Sequence, residues 1–259
     1  MEILIAKKID FENINIICNT YEFSFDQEVQ STIDALRNKK VIEAKEKWQN
    51  LWDWLNYYLM NYILSSDSLK FDFWTVRFRN ISMTNFLPDS LKEKIKNSQP
   101  KWIFVAWIVK TKDDYFLFPR RGDNDVTKTI SWEITTFWWV LQPDEKHIEH
   151  FIDIWHHMME ELHEELWIAK SNITHGEFIW LTLSKALNRG IIFNINININ
   201  HIEALNYFKK NGDWEMSEVL CIPKHQVLDF LNTEWFDESW LYKSNLWLYR
   251  ELLTETKVL

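Results

Sequence analysis

The stretch that decides the fold runs from Trp138 to Ile168 and reads WWVLQPDEKHIEHFIDIWHHMMEELHEELWI. From Glu145 to Leu166 its apolar residues recur mostly at three- and four-residue steps, which predicts one long amphipathic helix. The apolar stripe of this helix is expected to contain Ile148, Phe151, Ile152, Met159, Leu162 and Leu166. An apolar strand candidate at Ile130–Phe137 precedes it, so the segment predicts a strand, a loop and a helix.

Three glutamates lie near the end of this helix: Glu161, Glu164 and Glu165. Their i, i+3 and i+4 spacing places the carboxylates on one ridge, where like charges repel by a few tenths of a kcal/mol per exposed pair. A hard cation such as Mg²⁺ would remove that repulsion by accepting their oxygens. The simpler alternative is a solvated acidic face. Glu160 and His163 also form one ExxH step of the di-iron type, but such bundles need two of these steps.

The acidic end of the segment, residues 160–168, resembles the tail REUxEExGU of the Nudix box, in which U is a bulky aliphatic residue. Upstream, Trp139 and Glu145 stand in the opening Gx5E relation of that box. The chain departs from the motif at Glu160, which replaces arginine, and at Trp167, which replaces glycine. Its loop and helix are longer than the family's by about two helical turns, which keeps the helix face in phase.

Residues 101–259 therefore resemble a Nudix hydrolase domain. The resemblance implies an α+β fold, with a mixed sheet between helices in an α/β/α sandwich. It also implies that Glu161, Glu164 and Glu165 bind Mg²⁺ or Mn²⁺, and that Glu145 helps to hold the loop near the metal. The implied reaction is hydrolysis of a nucleoside diphosphate linked to another moiety, with water attacking the pyrophosphate.

Two arginines, Arg120 and Arg121, follow the apolar strand candidate Tyr115–Phe118. This arrangement resembles the family's strand that ends in a basic residue near the substrate. Because the arginine fork can bond two phosphate oxygens, we expect one of the pair to contact substrate. A pair of surface arginines at a turn is the alternative. For the whole protein, the alternative function is a non-catalytic Nudix-like module that binds a nucleotide, and Glu160 in the arginine position favours it.

Tryptophan and glycine occur in unusual numbers. The chain has 16 Trp and 4 Gly, whereas an average domain of this length carries roughly 18 Gly. We hypothesise that many of these tryptophans are glycine codons read with the wrong genetic code, because UGA specifies glycine in some codes and tryptophan in others. The simpler alternative is that the tryptophans are genuine and the protein is unusually aromatic. UGG codons at Trp138, Trp139, Trp155 and Trp167 would refute the hypothesis.

Composition excludes several classes of protein. The net charge of −9 argues against a nucleic-acid backbone or an anionic membrane as partner. The two cysteines, Cys18 and Cys221, imply no disulfide framework and favour a reducing cytoplasm. No stretch has the roughly 18 apolar residues of a membrane span, and the first residues are too polar for a signal peptide. We expect a cytoplasmic enzyme acting on a small-molecule nucleotide.

The chain is expected to divide near Pro100 into a small N-terminal α+β module, residues 1–100, and the Nudix-like domain, residues 101–259. The first part predicts a helix at Asp26–Asn50 and two strands within Tyr57–Ile81. The N-terminal module is expected to shape substrate choice or dimer contacts, so a homodimer is left open. The second part predicts strands and helices at short spacing. Further strands are expected at Trp102–Lys110, Tyr115–Phe118, Ile191–Asn200 and Glu215–Ile222. Helices are expected at His225–Leu231 and Ser239–Leu253.

Overall fold

The computed structural model describes residues 2–46, 53–122, 134–143, 148–184, 188–211, 216–233 and 245–255. Within these ranges the chain forms ten strands and seven α-helices. The strands are β1 (Glu2–Ile9), β2 (Ile14–Phe23), β3 (Leu55–Leu64), β4 (Leu69–Arg77), β5 (Ile103–Thr111), β6 (Tyr115–Arg121), β7 (Phe137–Val140), β8 (Ile173–Leu183), β9 (Arg189–Ile197) and β10 (Met216–Pro223). The helices are α1 (Gln27–Glu46), α2 (Phe78–Ser82), α3 (Asp89–Ile95), α4 (Phe151–Leu166), α5 (His201–Asn211), α6 (Val227–Leu231) and α7 (Trp247–Glu255).

Seven strands form the larger sheet, in the order β1-β8-β9-β5-β6-β10, with β7 pairing to β5. The β5–β9 pairing is parallel and the other pairings are antiparallel, so the sheet is mixed. Side chains alternate across β5. Trp107 packs in one core with α4, whereas Ile108 packs in a second core with α7. The sheet therefore lies between helices, which confirms the α+β class and the mixed sheet expected from the sequence.

The remaining strands form a three-stranded sheet in the order β2-β4-β3. Its Phe71 ring stacks on Phe151, the first residue of α4, with ring centroids 6.0 Å apart. The smaller sheet thus shares the core beneath α4. In contrast, β1 pairs antiparallel with β8 and belongs to the larger sheet by hydrogen bonding. Pro100 lies between α3 and β5, and the division of the chain into residues 1–100 and 101–259 stays a prediction.

Several local expectations are confirmed, among them the β3–β4 hairpin across residues 65–68 and the strands β5, β6, β9 and β10. Two expectations need correction. The long helix begins at Phe151 rather than at Glu145. Of the predicted strand Ile130–Phe137, residues 130–133 lie outside the described residues, and within the rest β7 begins only at Phe137 and continues to Val140. Ile134 forms an isolated bridge to Arg120.

None of the described helices combines the length and the apolar content needed to cross a lipid bilayer.

Candidate functional site

The start of α4 is set by the carboxylate of Asp153. Its Oδ2 accepts hydrogen bonds from the backbone N–H groups of Glu149, at 2.9 Å, and His150, at 2.8 Å. These bonds stabilise the turn at 149–150, so the helix begins only after it. Partial burial of Asp153 opposes ionisation, but the two backbone donors outweigh it and keep its pKa below the ordinary value.

One face of α4 is buried against the larger sheet. Its buried members recur at three- and four-residue steps, and they are Phe151, Ile154, Met158, Leu162 and Leu166. The expected stripe was therefore wrong at two positions. Ile152 is exposed and Met159 is half-buried, because each directly follows a buried residue, Phe151 or Met158, and so lies about 100° around the helix axis from the buried face.

The three candidate metal ligands lie in the last turns of α4, beside this apolar face. Glu164 is exposed, and Glu161 and Glu165 are half-buried. Their spacing places them on one ridge of the helix, as the sequence predicted. Carboxylates near a helix C-terminus face the negative end of the helix dipole, which disfavours three anions there.

Glu160, which occupies the position of the box arginine, has basic partners instead. Its Oε1 lies 3.3 Å from Lys170 Nζ, and its Oε2 lies 3.5 Å from His157 Nδ1. The ion pair with Lys170 links Glu160 of α4 to the segment that follows the helix.

The donor chemistry of the ridge fits Mg²⁺ or Mn²⁺, since both prefer carboxylate oxygens. Over the described ranges, however, no three acidic, histidine or cysteine side chains are gathered closely enough to hold a metal ion. Glu161, Glu164 and Glu165 share a helix face without converging on one point. Glu145, the first box glutamate, lies outside the described residues.

The two arginines lie at the end of β6. Arg120 Nε is 3.2 Å from Glu218 Oε2 on β10. The Arg121 guanidinium lies over the Trp138 ring of β7, 5.3 Å from its centroid. On the neighbouring position of β7, Trp139 lies 6.2 Å from the His157 ring of α4. The short strand β7 thus contacts both Arg121 and α4.

Trp167, at the glycine position of the box, adopts a backbone conformation that favours glycine. It caps the C-terminus of α4 with φ 55° and ψ 24°, and its N–H donates to the His163 carbonyl at 2.6 Å. A left-handed residue at this place is the usual glycine cap of a helix. The motif has glycine at this position, and the backbone here has the conformation that glycine favours, although the residue present is tryptophan.

The other tryptophans of the segment show no such conformation. Trp138 and Trp139 lie in β7 and Trp155 lies within α4, and the backbone φ of all three is negative. The Trp155 ring packs on Phe11, with ring centroids 5.4 Å apart, and covers Gly176 so closely that a Cβ there would overlap it. Glycine in the interior of a helix is unfavourable by roughly 1 kcal/mol relative to Ala. The backbone of these residues therefore supports the codon hypothesis only at Trp167.

Glycine at position 167 is expected to be more stable than alanine there. A left-handed conformation costs a residue with a Cβ about 1–2 kcal/mol, and glycine escapes that cost. About half of the Trp167 side chain is buried, and its ring centroid lies 5.8 Å from that of His163, so both substitutions lose that contact equally. We expect the free energy of unfolding of Trp167→Gly to exceed that of Trp167→Ala by about 1 kcal/mol, measured by urea denaturation. The matched pair Trp54→Gly and Trp54→Ala, at an exposed residue with negative φ, should not show this advantage for glycine.

A second polar cluster, which the sequence did not reveal, joins β6 to α5. Asp113 accepts hydrogen bonds from the backbone N–H of His201, at 3.0 Å, and from its Nδ1, at 2.6 Å. The His201 ring stacks on Tyr115, with centroids 3.8 Å apart. Partial burial of Asp113 raises its pKa, but bonds from Thr111 and His201 prevail and lower it. Because Asp113 caps the first residue of α5, we interpret this cluster as structural.

No protein-family model matches this sequence, and no curated protein matches it closely enough to show a relationship.

Several solved structures are similar in fold. Tm1382, provisionally described as a Nudix hydrolase, is 11% identical, with 78% of this chain and 99% of that chain covered and a TM-score of 0.42. The MutT protein from Methanosarcina mazei is 15% identical, with coverages of 62% and 97% and a TM-score of 0.35. The Nudix domain of Shewanella oneidensis NrtR, solved with ADP-ribose, is 10% identical, with coverages of 64% and 99% and a TM-score of 0.40. At such identities, any role for a side chain must be argued from this chain's own geometry.

Proposed function

We propose that this chain is a Nudix-type pyrophosphohydrolase that requires Mg²⁺ or Mn²⁺. Its substrate would be a nucleoside diphosphate linked to another moiety. The observation that carries the proposal is the ridge of Glu161, Glu164 and Glu165 at the C-terminal end of α4, closed by Trp167 in the left-handed conformation of the box glycine. Acidic ridge and left-handed cap occur in the order and spacing of the Nudix box.

The electrostatics of the ridge support a cation-dependent function. Each anion beside a helix C-terminus is disfavoured by roughly 0.3–1 kcal/mol at an exposed site. Mutual repulsion between the carboxylates adds a few tenths of a kcal/mol per pair. Lys170, a nearby cation, forms an ion pair with Glu160. A divalent ion bound by the three carboxylates would offset both unfavourable effects.

In the proposed reaction, Glu161, Glu164 and Glu165 would hold the cation beside the pyrophosphate. When bound, a divalent ion would supply neutralisation of phosphate charge and a more acidic water as nucleophile. One of the two arginines at the end of β6 would contact the phosphate. Arg120 lies beside Glu218, and the Arg121 guanidinium lies over the Trp138 ring of β7. Glu145 remains a predicted further acid of the site.

A non-catalytic nucleotide-binding module is the second candidate. The Lys170–Glu160 ion pair favours it, because the position that the box gives to arginine is here used to bind a lysine. The ridge side chains also do not converge into a ligand set among the described residues. In this case Glu161, Glu164 and Glu165 would bind a nucleotide-associated cation without turnover.

The two candidates are separated by an assay of turnover. The full chain would be incubated with dinucleoside polyphosphates, nucleotide sugars and ADP-ribose, with Mg²⁺, with Mn²⁺ or with EDTA, and products would be separated by chromatography. Release of a mononucleotide only when the metal is present supports the hydrolase. Tight binding across the panel with no metal-dependent release would exclude it and support the binding module.

A further inference from the structure

A second cleft lies far along the chain from the box, between the smaller sheet and the connector that precedes β5. Its volume is about 470 Å³, within the range of small-molecule sites. The lining residues that matter here are Tyr21, Tyr58, Trp74, Lys101 and Arg189. No residue of α4 lines this cleft, so it is distinct from the proposed catalytic ridge.

Aromatic rings form one wall of the cleft. Tyr21 and Trp74 meet edge to face, with ring centroids 4.8 Å apart, and Tyr58 lies 6.4 Å from Trp74 in a similar arrangement. Tyr21 is 58% exposed, so its ring stands at the mouth of the cleft, where a planar ligand could stack on it. Aromatic walls of this kind bind nucleobases through their faces with little dependence on the base.

Two cations line the same cleft. Arg189 Nη1 donates to the Leu59 carbonyl at 2.8 Å, while Arg189 Nε is buried and has no hydrogen-bond partner among the described residues. Lys101 Nζ donates to the neutral Gln99 side chain at 2.8 Å. Burial lowers the pKa of both groups. In the described part of the chain, neither cation forms an ion pair with a carboxylate.

We propose that this cleft binds a nucleoside monophosphate, with its base against Tyr21 and Trp74 and its phosphate against Arg189 and Lys101. An anion is the natural partner for two cations that lie in a concave site and contact only neutral groups. Their combined charge matches a phosphate dianion, and the guanidinium can bond two phosphate oxygens. The site would bring the N-terminal sheet and the start of β9 together on one ligand.

The proposal is tested by calorimetric titration of AMP into the full chain in EDTA, which removes any contribution from a metal at α4. Lys101→Met keeps the aliphatic stem and should weaken AMP binding roughly tenfold. Tyr21→Ala, at an exposed position, should weaken it by a similar factor through lost stacking. Arg189→Gln should have the largest effect, and thermal melts would show whether loss of its bond to Leu59 also affects folding.

Two control variants should bind AMP as the wild type does. Lys209→Met removes an exposed lysine on α5, and Glu93→Gln removes an exposed carboxylate on α3. Adenosine and inorganic phosphate should each bind far more weakly than AMP, because each lacks one half of the contact. The proposal is overturned if AMP does not bind at millimolar concentration. It is equally overturned if Lys101→Met and Tyr21→Ala both bind as the wild type does, or if adenosine binds as tightly as AMP.

Discussion

Glu164→Gln is expected to lower metal-dependent turnover by about 10²–10³-fold, since a metal that stabilises a phosphoryl transition state contributes several kcal/mol, at about 1.4 kcal/mol per tenfold. Glutamine keeps the shape of the side chain and removes the charge that would bind the cation. Glu164 is exposed and packs in no core, so folding should not change. The measurement is kcat on the best substrate of the panel at saturating Mg²⁺.

The control for this variant is Glu93→Gln on α3, an exposed carboxylate whose described partner is Lys96. Glu93→Gln changes the net charge of the protein by the same amount as Glu164→Gln, and we expect its kcat to equal that of the wild type. If the ridge binds the cation, the Mg²⁺ concentration needed for half-maximal activity should also rise in Glu164→Gln. Wild-type kcat and Mg²⁺ dependence in Glu164→Gln would show that the ridge is a solvated face.

The ridge and its cap were accessible from sequence because both depend on local spacing. Side chains at i, i+3 and i+4 share a face wherever the helix begins. The left-handed cap could be predicted because the motif has glycine at that point, and Trp167 shows that the backbone conformation persists with another residue. Local periodicity is therefore sufficient for the part of the site that lies on one helix.

The start of α4 was not accessible in the same way. The apolar pattern continues back through Ile148, but Asp153 binds the N–H groups of Glu149 and His150, and this stabilises a turn instead of another helical turn. Such a competition between a side chain and the helix ladder leaves no trace in hydrophobic periodicity. Ile152 and Met159 were wrongly placed in the buried stripe for another reason: each follows an apolar residue, Phe151 or Met158, and composition does not show which member of the pair is buried.

The pairing of strands that lie far apart in the chain could not be predicted from the sequence either. β1 lies next to β8 although more than half of the chain separates them, and nothing in either stretch specifies the partner. β8 itself was missed because His175, Gly176 and Glu177 interrupt its apolar pattern before the buried run begins at Phe178. The cleft lined by Tyr21, Trp74 and Arg189 brings residues from the N-terminal sheet together with the start of β9, so its charge and aromatic character are visible only in three dimensions.

Gly190→Ala is expected to destabilise the fold by about 1–3 kcal/mol, the usual range for an added methyl in a well-packed core. Gly190 lies in β9 between its paired residues Phe104 of β5 and Thr182 of β8. A Cβ at Gly190 would overlap the Phe104 ring and come 2.7 Å from Thr182 Oγ1. Its φ is not positive, so the cost is steric rather than conformational.

A double-mutant cycle distinguishes this steric cost from a general weakening of the strand. Phe104→Leu shortens the side chain that a methyl at Gly190 would meet, so the double variant should be less destabilised than the sum of the two single changes, with a coupling of about 0.5–3 kcal/mol. The free energies would come from urea denaturation followed by circular dichroism. Strict additivity would mean that the Phe104 contact does not determine the cost. A change below about 0.5 kcal/mol in Gly190→Ala would mean that β5, β9 and β8 pack less closely than the structure shows.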